Sequence, residues 1–352
     1  MSVKTEGSSN YEYVTARARS RRAKLFDEDD YRKLVRMGPG EVARFMEDSE
    51  YETEMNALGT RHSGVDLIEY ALNRNLSKHF DDLLTWADGP LYEYIANYLR
   101  KFDAWNIKTI IRGVYTDADR EDVEDDLIRT GEFAGQTLDR LVEATSIEDA
   151  IEALSGTIFG EPLEAAYEDF ESSDVLVPLE NAVDRAFFAN LLDDIGQPEP
   201  DTPIALYREF LEAEIDFRNL RNALRIARSG AEIDPGEYFI EGGQLFDAAE
   251  LGTLAANTDE LVTAIRESTY GDDLSKALDE LESATSLIGF EHALNTALLE
   301  YSEKLSNRYP LSICPVLSYI LAKEREVENI RAVARGREAG LPVEEIEEEL
   351  IQ

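Results

Sequence analysis

The chain has 352 residues, enough for two or three ordinary domains of roughly 100–200 residues each, and 43% are hydrophobic, which excludes wholesale disorder. Seventy-four acids against 35 bases leave a formal net charge of -39, spread along the whole chain, which argues against a dense cationic face for nucleic acid or an anionic bilayer. Nine Lys against 26 Arg, under so much Asp and Glu, describe a surface kept soluble in concentrated salt, where screening weakens self-repulsion.

Residues 1–24 mix Lys, Glu and Arg without an apolar stretch and predict no export signal. Gly40 to Tyr51 predicts a helix of about three turns. Ile68, Leu72, Leu76, Phe80 and Leu83/Leu84 then keep the i, i+4, i+7/8 spacing of a long amphipathic helix. After a break at Gly89-Pro90 the pattern resumes at Leu91, Ile95, Tyr98/Leu99, Phe102, Ile107 and Ile111. Ser146 to Phe159 predicts a short capped helix, with Ser146 at the N-cap and acids in the first turn. Leu206, Phe210, Ala213, Phe217, Leu220 and Leu224 predict another long helix, Thr258 to Tyr270 another short one capped by Thr258, and Leu317 to Val333 a last long one. Breaks fall at Met37–Gly40, Ala87–Pro90, Gly196–Pro203, Asp234–Gly236 and Tyr309-Pro310. Alternating strand patterns are essentially absent, so the expected class is all-α. The longest uncharged run, Leu311 to Ala322, contains Pro315 and falls short of the about 20 residues a spanning helix needs.

Self-similarity is the strongest signal. Leu67-Ile68-Glu69-Tyr70-Ala71-Leu72-Asn73-Arg74 aligns without gaps on Pro178 to Arg185 and on Gly289 to Thr296, each at an offset of 111. Glu69, Glu180 and Glu291 recur, as do the following Ala, an aliphatic residue and an Asn or Asp. A second triplet reads Asn106-Ile107-Lys108, Asn219-Leu220-Arg221 and Asn329-Ile330-Arg331, with an arginine six residues after each Asn: Arg112, Arg225 and Arg335. The three short helices ending near Tyr51, Phe159 and Tyr270 form a third, weaker set. These sets predict three similar units at about 1–125, 126–236 and 237–352, and the chain can enter the first and leave the third in mid-repeat.

Catalytic motifs are weak. Gly38-Pro39-Gly40 lacks the Lys-Ser/Thr ending of a phosphate loop and follows no strand. Gly242-Gly243-Gln244 matches the tripeptide of peptide-release factors, but a turn ahead of a helix explains it better. His62, His79 and His292 stand at no metal-ligand spacing, and the lone Cys314, in an apolar run, reads as a buried small hydrophobe. No metal or cofactor is expected. Paired acids such as Asp81-Asp82 read as solvated faces. The repeated Glu69, Glu180, Glu291, Asn106, Asn219, Asn329, Arg112, Arg225 and Arg335 have two readings. They fix helix register within each unit, with Glu and Arg paired and Asn bridging, or they line a shared surface and touch a partner.

The stretch Arg61 to Arg112, with its Phe102-Asp103-Ala104-Trp105-Asn106-Ile107-Lys108 segment, resembles the C subunits of archaeal-type ATP synthases, counterparts of the d subunit of the vacuolar proton pump. Tyr11 to Arg17 with Arg21-Arg22, and Asn329-Ile330-Arg331, are similar too. The resemblance implies three similar helical domains about a pseudo-threefold axis, shaped like a funnel, and a non-catalytic role. In that role the chain sits peripherally on the cytoplasmic face of the membrane, as one copy within a hetero-oligomer. It receives the central stalk in its cavity, rests on the membrane proteolipid ring, and turns with both in proton-coupled ATP synthesis. It implies no cofactor, no nucleic acid and no direct membrane insertion. Two other readings remain open: a free-standing helical repeat scaffold for another protein, and an all-helical enzyme using an acid cluster and a metal ion.

Overall fold

The computed structural model describes residues 9–133, 135–229, 235–255, 257–272, 274–275, 278–279 and 288–350 of the chain. Asp234, in one of the expected breaks, and residues 1–8 of the N-terminal stretch lie outside them. Among the described residues the regular structure is helical. It comprises α1 (Tyr11–Arg22), α2 (Glu28–Leu34), α3 (Pro39–Glu47), α4 (Glu52–Leu58), α5 (Gly64–Trp86), α6 (Pro90–Leu99), α7 (Lys101–Thr116), α8 (Arg120–Asp125) and α9 (Gln136–Val142). It continues with α10 (Ile147–Ala153), α11 (Gly160–Ser173), α12 (Val177–Ile195), α13 (Pro203–Ser229), a 3-10 turn at Pro235–Tyr238, α14 (Ala248–Ala255) and α15 (Thr258–Arg266). The last are α16 (Ile288–Arg308), α17 (Cys314–Glu338) and α18 (Val343–Glu348).

Local chemistry sets the ends. α3 begins with Pro39 at N1, and the Gly38 N–H donates to Glu41 at 3.0 Å. The Ser146 hydroxyl accepts from Asp149 N–H at the start of α10. For α15 the cap is Asn257, whose side chain accepts from Glu260 N–H, one residue before the expected Thr258. α7 and α11 stop at Asp117 and Asp174, both in the left-handed region (φ 54° and 52°), which a short polar side chain tolerates.

The long helices close on themselves. α5 packs on α6, α6 on α7, α7 on α12, α12 on α13, α13 on α16, α16 on α17, and α17 returns to α5. Their inner faces carry the i, i+3 and i, i+4 residues of the sequence pattern, buried in one continuous core: Ile68 and Leu72, Ile107 and Ile111, Leu220 and Leu224, Ile330 and Val333. Shorter helices cover the outside. α3 lies against α5 and α17, α10 against α7, and α11 against α12. Before each terminal aromatic residue a hydroxyl makes the same turn. Ser49, Thr157 and Ser268 each donate to the carbonyl three residues back at 2.7 Å and accept from the N–H of Tyr51, Phe159 or Tyr270 at 3.2 Å.

The two ends of the chain meet. α1 packs on both α17 and α5, and Arg22 forms an ion pair with Glu303 while its Nη1 donates to Ser318 Oγ at 2.5 Å. Deeper in, Lys323 Nζ, fully buried, donates to Glu326 at 2.7 Å and to the Tyr51 hydroxyl at 2.8 Å, and that hydroxyl donates to Glu326 at 2.7 Å. Burial pulls the Lys323 ammonium below its ordinary value, against the opposing pull of Glu326. The uncharged run of 311–322 opens α17, where Cys314 to Ile320 are buried. Among the described residues no helix is long and apolar enough to cross a membrane.

Candidate functional site

Positions four apart on a helix share a face. Lys108 and Arg112 of α7 point at Asp184 and Glu180 of α12: Lys108 Nζ to Asp184 Oδ1 is 2.7 Å, and Arg112 Nε to Glu180 Oε1 is 2.6 Å. Arg221 and Arg225 of α13 meet α16 in the same way. Arg221 Nη2 donates to Asn295 Oδ1 at 2.6 Å, and Arg225 Nε donates to Glu291 Oε1 at 2.6 Å, with a second contact from Nη2. Arg331 and Arg335 of α17 meet α5. Arg331 Nη2 donates to Asn73 Oδ1 at 2.8 Å, and Arg335 grips Glu69 with Nε and with Nη2, the latter at 2.6 Å. Each clamp therefore joins the arginine that follows one Asn motif to the Glu of a different repeat segment, and the last joins residues 266 apart in sequence. Asp184 also takes Arg218 Nη1 at 3.2 Å. Burial raises its carboxyl, but Arg218 and Lys108 outweigh burial and hold it below the usual range.

The asparagines do something else. Asn106 donates to Ile128 C=O at 2.8 Å and accepts from Ile128 N–H at 2.9 Å, and Asn219 makes the same pair of bonds with Ile240, both at 2.8 Å. Each ties the return segment after its helix to the helix itself. Asn329 is buried in α17.

A cavity of about 650 Å³ lies inside the circuit, walled by residues of α5, α7, α12, α13, α16 and α17. Eight Lys or Arg and five Asp or Glu line it, the reverse of the chain's overall balance. Trp105, 45% exposed, also faces it. Glu328 is open to water there; its carboxyl is raised by the surrounding protein and pulled back by Arg331, Arg221 and Lys101. Burial lowers Arg221 to about 10, with the neighbouring Arg218 adding to the effect.

The chain matches the family model described as ATP synthase (C/AC39) subunit over residues 14–349. It belongs to the ATP synthase C/AC39 subunit family. Among its relatives, the A-type ATP synthase C subunit of Haloferax volcanii is 65% identical over 349 residues, 99% of each chain. The proteins of the same name from Halobacterium salinarum and Methanosarcina mazei are 58% identical, over 99% of each chain, and 34% identical, over 99% of this chain and 94% of theirs. Relatives from halophilic archaea agree with the acid-rich, Lys-poor composition.

Sequence reasoning passed over one element of this C/AC39 chain. Three residues before each Asn stands a buried acid. Asp103 accepts from Glu132 and Phe133 N–H at 2.7 and 3.0 Å, Asp216 from Gln244 and Leu245 N–H, both at 3.0 Å, and Glu326 from Phe26 N–H at 2.6 Å. Burial raises Asp103 to about 7 and Asp216 to about 6, with the backbone donors opposing. Gly131, at φ +106°, leaves room for the first carboxylate: a Cβ there would stand 2.6 Å from Asp103 Oδ1. Gly242-Gly243-Gln244 has the same cause, since a Cβ on Gly243 would overlap Asp216 Oδ1. Among the described residues no group of three or more His, Cys, Asp or Glu is placed to hold a metal ion.

Proposed function

We propose that this chain is the C subunit of an A-type ATP synthase in a salt-adapted archaeon and acts as a non-catalytic socket of its rotor. In this reading it seats the central shaft in its cavity and rests on the membrane proteolipid ring at the cytoplasmic face. It passes torque between them for proton-coupled ATP synthesis, as a peripheral, single copy within the hetero-oligomer. Family membership supports the complex. The observation that carries the mechanical reading is the closed circuit of long helices, clamped by Arg112–Glu180, Arg225–Glu291 and Arg335–Glu69 around a hollow.

Three units about a pseudo-threefold axis, with chain limits near 125 and 236 and the outline of a funnel, account for why the same clamp recurs. In space the third unit is completed by the N-terminal helices, because α1 and α3 pack on α17. The three Glu and three Arg of the repeat then act as register positions between units, Asn106 and Asn219 act within theirs, and the cavity presents the partner surface. A torque coupler has to be stiff, and close-packed interiors resist compression. A body closed on itself resists twisting better than an open stack.

Deleting the subunit from the assembled synthase and following gradient-driven ATP synthesis in membrane vesicles tests the role. The expected result is loss of coupled synthesis with the catalytic head still able to bind nucleotide; synthesis that stays coupled to the gradient overturns it. Co-purification separates this reading from a free-standing scaffold, because the socket requires stalk and proteolipid subunits in the same complex.

A further inference from the structure

The cavity is charged against the sign of its own protein. Eight of the chain's 35 cations line it, against five of its 74 acids. Most of these cations are engaged: Lys101 with Glu324 at 2.8 Å, Lys108 with Asp184, and Arg112 and Arg225 in their clamps. Arg221 and Arg325 differ, forming no ion pair with any described residue. The Nε–H groups of Arg218, Arg221, Arg325 and Arg331 are buried, and none of the four has an acceptor. A buried guanidinium donor without an acceptor is costly, about 1–3 kcal/mol for a neutral group and more for a charged one. Arg221 and Arg325 therefore bring to the hollow two guanidinium charges that no carboxylate among the described residues pairs, and they favour an occupant that brings acceptors.

Spacing restricts what that occupant is. Arg325 and Arg331 are six residues apart on one helix, roughly 9 Å along its axis, which leaves room for more than one acceptor group. Glu328 lies between them and also lines the cavity, so the wall alternates cation, anion, cation. A polypeptide matches that alternation, with side-chain carboxylates for the arginines and backbone N–H groups for Glu328. Trp105, Phe187 and Leu298 give the same cavity an apolar wall on which side-chain stems can pack. The volume holds a chain end and not a folded domain.

We propose that the cavity takes the acidic end of a partner polypeptide, whose carboxylates accept hydrogen bonds from Arg221, Arg325 and Arg331. This rests on the socket reading above and names the chemistry of what the socket holds: a shaft whose tip bears Asp and Glu. Arg–carboxylate pairs suit the role, because their planar forks bond at contact distance and so survive salt that removes longer-range attraction. The field of a chain carrying -39 repels an acidic partner at a distance, so recognition is confined to the mouth and floor of the cavity.

The test titrates the full-length chain with hexaglutamate, hexalysine or inorganic phosphate in 2 M KCl, which screens the general repulsion. Trp105 is the reporter. The chain's other tryptophan, Trp86, is held under Arg17 and Arg21 and does not line the cavity. Hexaglutamate is expected to shift Trp105 emission saturably, and neither hexalysine nor phosphate to do so. Arg221→Gln with Arg325→Gln should raise the hexaglutamate Kd at least tenfold. Arg325→Gln alone, at a side chain without an ion pair among the described residues, should raise it severalfold and keep the fold intact if the double variant does not fold. No saturable shift, an equal shift with hexalysine or phosphate, or an unchanged Kd in the variants overturns the proposal. Pull-down of the stalk subunits separates the two readings. Stalk binding that ignores both substitutions sinks the acidic tip and leaves the socket standing; a chain that binds hexaglutamate but no stalk subunit sinks the socket.

Discussion

Glu69→Gln opens the one clamp that joins the two ends of the chain. Glu69 is the most buried of the three clamp carboxylates, its side chain 11% exposed against 21% for Glu291 and 27% for Glu180, and it takes both Nε and Nη2 of Arg335. Arg331 Nε stands 3.9 Å from the same carboxylate. A buried hydrogen bond to a charged group contributes about 1.5–3 kcal/mol, whereas an exposed ion pair contributes about 0–1 kcal/mol. Arg335 is mostly exposed, so the lower part of the first range applies, and Glu69→Gln should cost about 1.5 kcal/mol. The same reasoning gives about 1 kcal/mol for Glu291→Gln and about 0.5 kcal/mol for Glu180→Gln, which loses a single Nε contact. Urea unfolding at one fixed KCl concentration measures all three. Hydrogen exchange on the Glu69 variant should show α5 and α17 opening together before the rest of the body. A double-mutant cycle with Arg335→Gln isolates the pair. The reasoning fails if Glu69→Gln is no more costly than Glu180→Gln, or if the cycle returns a coupling under about 0.3 kcal/mol, which is within ordinary additivity.

Other substitutions test the interior. Lys323→Met leaves the Glu326 charge buried beside Tyr51 and should cost about 3–5 kcal/mol; adding Glu326→Gln removes that charge and should recover at least about 1 kcal/mol, read by the same unfolding curves. Asp103, raised to about 7 from 3.8, adds stability that is fully present below about pH 4 and lost as pH rises through 7; Asp103→Asn removes the dependence. Unfolding free energies of the two proteins at pH 4.5 and 7.5 should therefore diverge by about 3 kcal/mol in favour of the variant at the higher pH, and parallel curves would refute the assignment. Gly243→Ala drives a methyl into the Asp216 carboxylate and should cost about 2–4 kcal/mol, whereas Gly40→Ala, in α3 with nothing within 4 Å of the new Cβ, should stabilise by about 0.5–1 kcal/mol. Thermal melts distinguish these opposite signs.

Much of the helix pattern was legible because amphipathic spacing is a local property: the faces read from Ile68 to Leu83 and from Leu206 to Leu224 are the faces that are buried. Recurrence at nearly one spacing also brought out the Glu, Asn and Arg positions. It said nothing about which copy of Glu meets which copy of Arg, because partners between units are set by packing and not by spacing within a unit. Arg112 therefore reads as a partner for Glu69 of its own segment, while in space it meets Glu180. Asp103 and Asp216 escaped notice for a chemical reason. The third copy is Glu326, and an acid three residues before each Asn is inconspicuous in a chain with 74 acids. The charge of the cavity was hidden as well, since its cations are scattered from Lys101 to Arg331 and converge only when the circuit closes. The Thr258 cap missed by one residue because Asn257 and Thr258 are both good caps, and only backbone geometry chooses between them.

The meeting of the first helices with α17 has a consequence for how the protein is made. A ribosome releases α1 to α5 long before α17 exists, and until then their faces for Glu326, Ser318 and Arg335 have nothing to cover them. The body cannot shut until its last long helix has been synthesised, so the earliest residues wait for nearly the latest. Such distant pairings slow folding and leave unfinished chains sticky. A chain cut short before residues 314–338 leaves bare the faces of α1 and α5 that pack on that helix.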